Sequence, residues 1–501
     1  MNVRSYIKDT RLPGRCQLAF MVLLKVAAVT YVAWQAIIRK LSSDLAIQRC
    51  PLMSSPLSAL PLEMRLAGVP DIECVTPDLN GIPRGKVMTV EGFLQGRRLQ
   101  MARGVLLQAV MGGYPEARYY GGEDGDLVLR AVADQVHVLP WADTPRALAV
   151  CDAVELDGAP SGLSSRSLLQ RVIERYAERN WQPVVATELE FFIFEPHTDV
   201  HQPFQPPVGL DGRREAGHAA FSVSSNNGLR PFFEELKASM AALGIPRDTF
   251  MHEMGVTQFE INFVHGDPLL IADQTFLFKH MLHEVALKHG LIAVCMAKPL
   301  ARVPGCSMHI HQSIVERTLG RNIFTDPNNG EPTFSFPHYI GGLQHCLADL
   351  TLLMAPHINS YQRFCHTFAS PNNLCWSHDN RSAGLRIPAS GPVDRRVENR
   401  LPGADANPYL AIAASLAAGL YGIEHEIEPS TVSQGEFQAT DVLTLPGTLH
   451  EALQRLRRSA LARELMGDEF IDGYIATKAL ELEDFMNEIT PWERRFLGSQ
   501  V

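Results

Sequence analysis

Short stretches in which apolar and polar residues alternate dominate the chain between residues 61 and 160. The segment IECVTPDLNGIPRGKVMTV, residues 72–90, alternates on both sides of an Asn-Gly pair, which signals a tight turn between two strands. A second alternating stretch covers residues 126–141, and the intervening residues 90–110 have the spacing of a helix. We therefore predict a small α+β domain at residues 61–160.

Helical patterns are longer in the rest of the chain, residues 161–501. Ser164 precedes an amphipathic pattern that continues to residue 180, and a serine at this position is a preferred helix N-cap. Residues 268–290 predict a further helix, and the Ala-rich residues 406–423 predict a buried one. These patterns predict that the rest of the chain, residues 161–501, is rich in helices.

The segment TELEFFIF, residues 187–194, predicts a buried strand. The period of two in a strand places Glu188 and Glu190 on the same face. An exposed strand face with two carboxylates is the alternative, but the surrounding apolar run favours burial, where unpaired charges are costly. Another short strand is predicted at residues 294–296, ahead of the segment that contains His309. A cation beside the strand at residues 187–194 would balance the charge of Glu188 and Glu190.

Residues 1–60 form an N-terminal extension with a largely apolar segment at residues 17–38. Its length would span a bilayer, but Lys25 lies inside it, and basic residues on both sides give no preferred orientation. Three interpretations stay open: a membrane anchor, an extension that packs on the protein body, or translated sequence upstream of the native start. We favour the last two.

The overall composition is that of an ordinary soluble protein. A net charge of −10 argues against non-specific binding to nucleic acid, which requires a basic surface. The nine cysteines are scattered and show no CxxC spacing, so the sequence predicts neither a disulfide framework nor a zinc site. Free thiols of this kind are typical of a reducing cytosol, and we expect a cytoplasmic protein.

Six residues of metal-ligand type lie in four short segments, TELEFFIF, HEMGVTQFEINF, PGCSMHIHQS and RRVENR. They are Glu188, Glu190, Glu253, Glu260, His309 and Glu398. One Mg²⁺ site needs fewer protein ligands, because water and phosphate oxygens usually complete its shell. Five carboxylates and a histidine suit two hard cations that share a phosphoryl-transfer site.

Histidines and arginines accompany these carboxylates. In SMHIHQS, His309, His311 and Ser313 alternate on one strand face, although a lone buried histidine is more often a core residue than a ligand. Apolar residues are interleaved with the arginines of NRSAGLRIP and RRVENR, which predicts that these arginines point inward to bind phosphate or carboxylate. The arginines are Arg381, Arg386, Arg395, Arg396 and Arg400, with Arg363 further upstream.

These segments resemble, in their sequences and in their order, those of the glutamine synthetase superfamily, and in particular those of its γ-glutamylpolyamine synthetase branch. The resemblance covers roughly residues 64–501 and implies an α+β fold with a small β-grasp domain and a large catalytic domain built on a curved antiparallel sheet. It also implies a homo-oligomeric ring, a hexamer or dodecamer, whose active sites lie between neighbouring subunits.

The resemblance assigns roles to the residues already named. Glu190, Glu253 and Glu260 match the ligands of one Mg²⁺ or Mn²⁺ ion, and Glu188, His309 and Glu398 match those of a second. Gly305, Arg363 and Arg400 match residues that bind glutamate. Ser313, Arg381, Arg386 and Arg396 match residues that bind ATP. Asp78, which a neighbouring subunit would contribute, and Arg381 match catalytic residues.

Two departures from true glutamine synthetases bear on the substrate. Ala369 replaces the glutamate of a flap that binds and deprotonates ammonium in those enzymes, and Pro304-Gly305 replaces an Asn-Gly pair. The resemblance therefore implies an ATP-dependent glutamate–amine ligase that uses putrescine or another primary amine. Phe368, Trp376 and His378 are candidates for the amine pocket. A conventional, ammonia-using glutamine synthetase and a catalytically silent family member are the alternatives.

Overall fold

The computed structural model describes residues 61–197, 199–365, 370–435, 444–498 and 500–501. The predicted N-terminal extension with its apolar segment 17–38 lies outside the described residues, and so do Phe368 and Ala369. Within the described ranges, no helix has the length and hydropathy needed to cross a membrane.

The first part of the described chain forms a five-stranded sheet with the strand order β2-β1-β5-β4-β3. Neighbouring strands are antiparallel except for β1 and β5, which run parallel. The strands are β1 (Asp71–Pro77), β2 (Pro83–Thr89), β3 (Leu99–Ala102), β4 (Asp126–Val138) and β5 (Arg146–Val154). The two predicted alternating segments are therefore strands, and the β-grasp assignment stays a prediction.

The helix predicted at residues 90–110 is wrong over most of its length. Only Val90–Leu94 is α-helical, and it is followed by β3 and by a 3₁₀ turn at Arg103–Leu107. Gly96 adopts a positive φ of 71°, a left-handed conformation that ends the helix and that glycine tolerates without steric cost. The chain then turns into a strand that pairs with β4.

A nine-stranded sheet forms the centre of the larger part of the chain, with β12-β13-β14-β10-β6-β8-β7 as its main path. Strand β11 pairs with β10 and β9 pairs with β6. The predicted antiparallel sheet is confirmed except at β12 and β13, which run parallel. The strands are β6 (Trp181–Phe194), β7 (Arg247–His252), β8 (Gln258–Phe263), β9 (Ile292–Val294), β10 (Met308–Glu316), β11 (Arg321–Asn322), β12 (Trp376–His378), β13 (Leu385–Ile387) and β14 (Val397–Asn399).

Helices pack around these sheets. They are α1 (Leu62–Arg65), α2 (Val90–Leu94), α3 (Ser165–Ala177), α4 (Val223–Gly228), α5 (Arg230–Ala242), α6 (Pro268–Lys288), α7 (Ser335–Cys346), α8 (Thr351–Met354), α9 (Ile358–Phe364), α10 (Pro408–Glu424), α11 (Leu449–Arg458), α12 (Ala460–Met466), α13 (Asp468–Met486) and α14 (Pro491–Phe496). The predicted helices near residues 164–180, 268–290 and 406–423 are confirmed, while the strand predicted at 294–296 lies two residues earlier, at β9.

Two of these helices show how the local sequence sets their ends and positions. Ser164 caps α3, because its side chain accepts a hydrogen bond from the backbone N–H of Ser167. Helix α10 is buried on nearly all sides, as its Ala-rich sequence predicts, and its N-cap Asn407 also donates from Nδ2 to the backbone carbonyl of Asp78 at 2.9 Å. The turn after β1 is thereby attached to the larger part of the chain.

Candidate active site

Three neighbouring strands bring four of the predicted ligands to one face of the nine-stranded sheet. On β6, Glu188 and Glu190 are two residues apart and share a face. In the antiparallel register, Glu190 lies opposite Glu260 of β8, and Glu188 lies opposite His309 of β10. Cross-strand pairs of this kind hold side chains in direct contact range.

The same face continues across two more strands. His311 of β10 lies opposite Glu398 of β14, which in turn lies opposite Arg386 of β13. Carboxylates from β8, β6 and β14 therefore lie in one row with the histidines of β10, and the row ends in a guanidinium group. The predicted strand periodicity of Glu188, Glu190, His309 and His311 is confirmed, whereas the cross-strand order could not be read from the sequence.

Glu188, His309 and Glu398 form the most compact group in this row. Each offers one ligand atom, and these atoms lie within 4.8 Å of one another. His309 Nδ1 lies 3.2 Å from Glu188 Oε2 and 3.6 Å from Glu398 Oε1. The other ring nitrogen of His309, Nε2, is buried and has no hydrogen-bond partner among the described residues. Two oxygens and an imidazole nitrogen at this spacing fit a divalent cation.

The protein itself supplies positive charge to this group. Burial raises the pKa of Glu188, but hydrogen bonds from His309 and His311 lower it well below its usual range. Burial acts in the same way on Glu398, where the charge of Arg400 lowers the pKa to about 2. His309 itself has its pKa lowered to about 4, first by burial and then by Arg400, so its imidazole is neutral at pH 7. A neutral imidazole is the form that binds metal.

The other predicted ligand set, Glu190, Glu253 and Glu260, consists of carboxylates whose negative charge is balanced less by positive groups of the protein. Burial and the charge of Glu253 raise the pKa of Glu190 to about 8. Burial, followed by repulsion from Glu188, raises the pKa of Glu260 well above its usual range, and burial also raises that of Glu253. In the part of the chain that the structure describes, these three carboxylates do not form a group as compact as the first. Their mutual repulsion would be relieved by a cation, so their chemistry fits a second metal.

Four of the predicted arginines lie along one border of the row, whereas Arg395 donates to the carbonyls of Phe324 and Gly330. Arg386 and Arg400 both donate to Glu398, Arg386 at 2.7 Å from its Oε2. Arg396 donates from Nε to His311 Nδ1 at 3.2 Å. The inward orientation predicted for Arg381 is wrong, because Arg381 is exposed in the turn between β12 and β13, although its positive charge acts on the pKa of Glu253. Four guanidinium groups therefore lie around the carboxylate row.

Arg363 is buried, as Arg400 is, but its guanidinium donates to backbone carbonyls and a hydroxyl beside the row. It is 1% exposed and donates to the backbone carbonyls of Leu401 and Arg400 at 2.7 and 2.8 Å, and to Ser307 Oγ at 3.0 Å. Gly305 packs against it, because a Cβ atom at Gly305 would lie 2.8 Å from Arg363 Cγ. Both residues are thus adjacent to the carboxylate row, and their roles in binding glutamate stay predictions.

The two remaining predicted site residues, Ser313 and Asp78, lie in separate parts of the structure. Ser313 is half-buried further along β10, on the face that also carries His309 and His311. Asp78 follows β1 and has no exposed surface, and its carboxylate accepts hydrogen bonds from Asn80 N, Ile82 N and Arg84 Nε. None of these partners is a predicted site residue, as expected if Asp78 serves the active site of another subunit. That role stays a prediction.

Two residues of the row were not among the predicted site residues. His311 Nε2 lies 2.8 Å from Glu188 Oε1, and its alternation with His309 was the available signal. Gln258, at the start of β8, donates to Glu190 and to the carbonyl of Gly305. Nothing in the spacing of HEMGVTQFEINF distinguishes Gln258 from a residue of the protein core.

Comparisons with known proteins show which family this chain belongs to. The family described as glutamine synthetase, catalytic domain, matches residues 162–497. A glutamine synthetase of Pyrococcus abyssi is 32% identical over 425 residues, which cover 83% of this chain and 90% of that protein. The γ-glutamylethanolamide synthetase GlnA4 of Streptomyces coelicolor is 33% identical over 441 residues, which cover 86% of this chain and 93% of that protein.

A solved structure has the same overall fold. The structure described as apo GmaS without ligand covers 89% of this chain and 100% of its own, with a TM-score of 0.76 and 26% sequence identity. The family match spans the strands that carry the carboxylate row, and the relatives are similar over most of their length. The chain therefore belongs to the glutamine synthetase family, whose members are ligases that form carbon–nitrogen bonds.

Proposed function

We propose that the protein is an ATP-dependent glutamate–amine ligase that forms a γ-glutamyl amide. The γ-carboxylate of glutamate attacks the γ-phosphorus of ATP, which releases ADP and gives γ-glutamyl phosphate. A primary amine then attacks the acyl carbon, phosphate leaves, and the amine loses a proton to give the amide. The observation that carries this proposal is the row of buried carboxylates, imidazole and guanidinium groups on one face of the sheet.

Each part of the row has a role in this reaction. Two Mg²⁺ or Mn²⁺ ions, held by the two ligand sets, would neutralise charge on the phosphoryl oxygens. Arg386, Arg396 and Arg381 would bind the phosphates of ATP, with Ser313 near the base. Guanidinium groups suit this role because their planar forks bind phosphate oxygens in pairs.

Glutamate would bind at the inner end of the row, near Gly305, Arg363 and Arg400. Gly305 lies so close to Arg363 that residue 305 has no room for a side chain, because a Cβ atom there would collide with Arg363 and with the carbonyl of Ala297. The γ-carboxylate would then lie beside the cation ligands. Holding the nucleophile and the phosphate in one orientation is itself a large part of catalysis in such reactions.

The amine step needs a proton acceptor, and Asp78 of a neighbouring subunit is our candidate. Burial raises the pKa of Asp78 to about 6, although Arg84 acts in the opposite direction. A carboxylate with a pKa in this range accepts a proton near neutral pH better than an ordinary aspartate. Because Asp78 has no exposed surface in the single chain, this role requires the turn to open towards the neighbouring subunit, whose surface would have to keep the carboxylate out of water for the pKa to stay raised.

A mixing experiment tests the shared site. Asp78→Asn and Glu398→Gln are each expected to be inactive, but a ring assembled from both would contain some sites with neither defect. Random assembly of equal amounts should restore about a quarter of the wild-type activity. No recovery in mixed rings, with each variant folded and oligomeric, would place Asp78 outside the neighbouring active site.

The proposal of an amine larger than ammonia is supported by Ala369, which replaces a flap glutamate that would bind a small cation. It is also supported by the similarity to GlnA4, which is named for an ethanolamide product. We favour putrescine or another primary amine as the substrate. The similarity to the Pyrococcus abyssi enzyme supports a second candidate, a conventional glutamine synthetase that uses ammonia.

Phosphate release from ATP, measured with glutamate, Mg²⁺ and a panel of amines, separates these functions. The panel contains ammonia, putrescine, spermidine, ethanolamine and a simple monoamine, with a reaction lacking amine as the control. Turnover with an organic amine and little with ammonia is the expected result. Efficient use of ammonia would establish the second candidate, and no turnover with any amine would contradict the proposed function.

A further inference from the structure

Gln258 links three segments that carry predicted site residues. Its side chain is 1% exposed, and both N–H groups of its amide are used. Nε2 donates to Glu190 Oε2 and to the backbone carbonyl of Gly305, both at 2.9 Å. Its Oε1 accepts from Gly255 N at 2.8 Å. The amide therefore joins a cation ligand, the glutamate loop and the turn that follows Glu253.

The backbone of Gln258 strengthens the same link. Its N–H donates to the carbonyl of Gly255, and its carbonyl accepts from the N–H of Glu253 at 2.8 Å. Gly255 has no room for a side chain, because a Cβ atom would lie 2.6 Å from Gln258 Oε1. The turn that presents Glu253 is thus fixed against the amide, and the amide is fixed in turn by Glu190 and Gly305.

Glu190 is held from a second direction by the loop that follows Gly305. The N–H of Ser307 donates to Glu190 Oε2 at 3.0 Å, and the carbonyl of Ser307 accepts from the N–H of Glu190 at 2.9 Å. Ser307 Oγ accepts from Arg363. A shift of the glutamate loop would therefore move the carboxylate of Glu190, and a shift of that carboxylate would pull on the loop.

We propose that Gln258 is a positioning residue that couples cation binding at Glu190 to glutamate binding at the Gly305 loop. The inference rests on the proposed function for the identity of the second ligand. Cation binding orients Glu190, Gln258 transmits this orientation to the carbonyl of Gly305, and the loop takes the position that binds glutamate. Coupling of this kind is reciprocal, so glutamate must tighten cation binding by the same factor.

Mn²⁺ titrations of the metal-free protein test this coupling without catalysis. Free Mn²⁺ is followed by electron paramagnetic resonance with and without glutamate, and glutamate binding is followed by calorimetry with and without Mn²⁺. In wild type each ligand should tighten the other. In Gln258→Met, which keeps the length of the side chain but removes both donors and the acceptor, the coupling factor should fall about fivefold or more.

Gln344 offers a matched control. It is a buried glutamine on α7 that donates to Leu374 O and Ser430 Oγ and accepts from Ser430 N, so it uses the same number of donors and acceptors at a place away from the carboxylate row. Gln344→Met should lose stability and keep the wild-type coupling factor. Gln258→Asn, which keeps the donors on a shorter side chain that cannot reach both acceptors, should lose coupling as Gln258→Met does.

Several outcomes would overturn the inference. They are wild-type coupling in Gln258→Met and Gln258→Asn, an equal loss of coupling in Gln344→Met, and an absence of coupling in the wild-type protein. The proposed function is judged separately, by phosphate release with the amine panel. A wild-type enzyme that ligates amines while its Gln258 variants keep full coupling would refute the inference and leave the function standing.

Discussion

A buried ion pair on α13 holds the turn that carries Asp78, and its loss should destabilise the protein strongly. Lys478 is 0% exposed and donates to Glu481 at 2.8 Å and to the side-chain oxygen of Asn80. Glu481 accepts in return from the Asn80 side-chain amide at 3.2 Å and from Val110 N at 3.1 Å. Lys478→Met removes the cation and leaves the carboxylate of Glu481 buried without its principal partner.

The magnitude follows from the pKa of Glu481. Burial raises it, but the charge of Lys478 and the contact with His357 lower it from the ordinary value of 4.5 to about 2. A folded-state pKa below the unfolded value contributes stability at pH values above 4.5, and this contribution is lost as the pH falls towards 2. The difference corresponds to about 3 kcal/mol at pH 7, close to the usual cost of breaking a buried ion pair.

Urea unfolding at pH 7 is the assay. Lys478→Met should lose about 3 kcal/mol, and Lys478→Met combined with Glu481→Gln should recover part of the loss because no charge stays buried. Lys288→Met is the matched control, since Lys288 forms a comparable but exposed pair with Glu235 and should matter little. The reasoning is refuted if the free energy of unfolding of Lys478→Met lies within about 1 kcal/mol of the wild-type value, because a change that small is close to what substitutions at the surface cause.

Three further changes test the candidate site. Glu398→Gln should weaken Mn²⁺ binding about tenfold or more, as measured by titration, because it removes a ligand charge from the group with Glu188 and His309; unchanged affinity would exclude Glu398 as a ligand. Asp78→Asn should depress amide formation more than Mn²⁺ binding, and an equal loss of both would refute its role in the amine step. Gly255→Ala should cost about 1–3 kcal/mol in urea unfolding, because the new Cβ would crowd Gln258 Oε1 at 2.6 Å. Gly125→Ala, with no atom within 4 Å of the added Cβ, is its control, and equal stability of the two variants would contradict the crowding argument.

Local periodicity was sufficient to predict the strands that carry the ligands. Alternation in TELEFFIF and SMHIHQS correctly paired Glu188 with Glu190 and His309 with His311, because side chains two apart on a strand share a face. The capped helix that begins after Ser164 and the buried helix α10 were predicted for similarly local reasons. Where one short pattern decides the structure, the sequence was a reliable guide.

Features that depend on distant residues were not predictable in this way. The register that places Glu398 opposite His311 depends on how β14 and β10 meet, and they are far apart in the chain. The parallel pairing of β12 with β13 and the inward hydrogen bonds of Arg363 are likewise set by tertiary packing. The helix predicted at residues 90–110 is wrong because helical spacing was outweighed by Gly96 and by pairing with β4.

The balance of positive and negative charge differs between the two ends of the carboxylate row. At the β13–β14 end, the carboxylate of Glu398 contacts two guanidinium groups, those of Arg386 and Arg400, and Arg386 also pairs with the exposed Asp379, so the buried carboxylate is compensated by the protein itself. At the β6–β8 end, Glu190 and Glu260 lie side by side, and burial and then neighbouring carboxylates raise the pKa values of both. In the proposed reaction, phosphate oxygens would therefore meet guanidinium groups beside the cation ligand Glu398, and the second cation would relieve the repulsion that remains at Glu190 and Glu260.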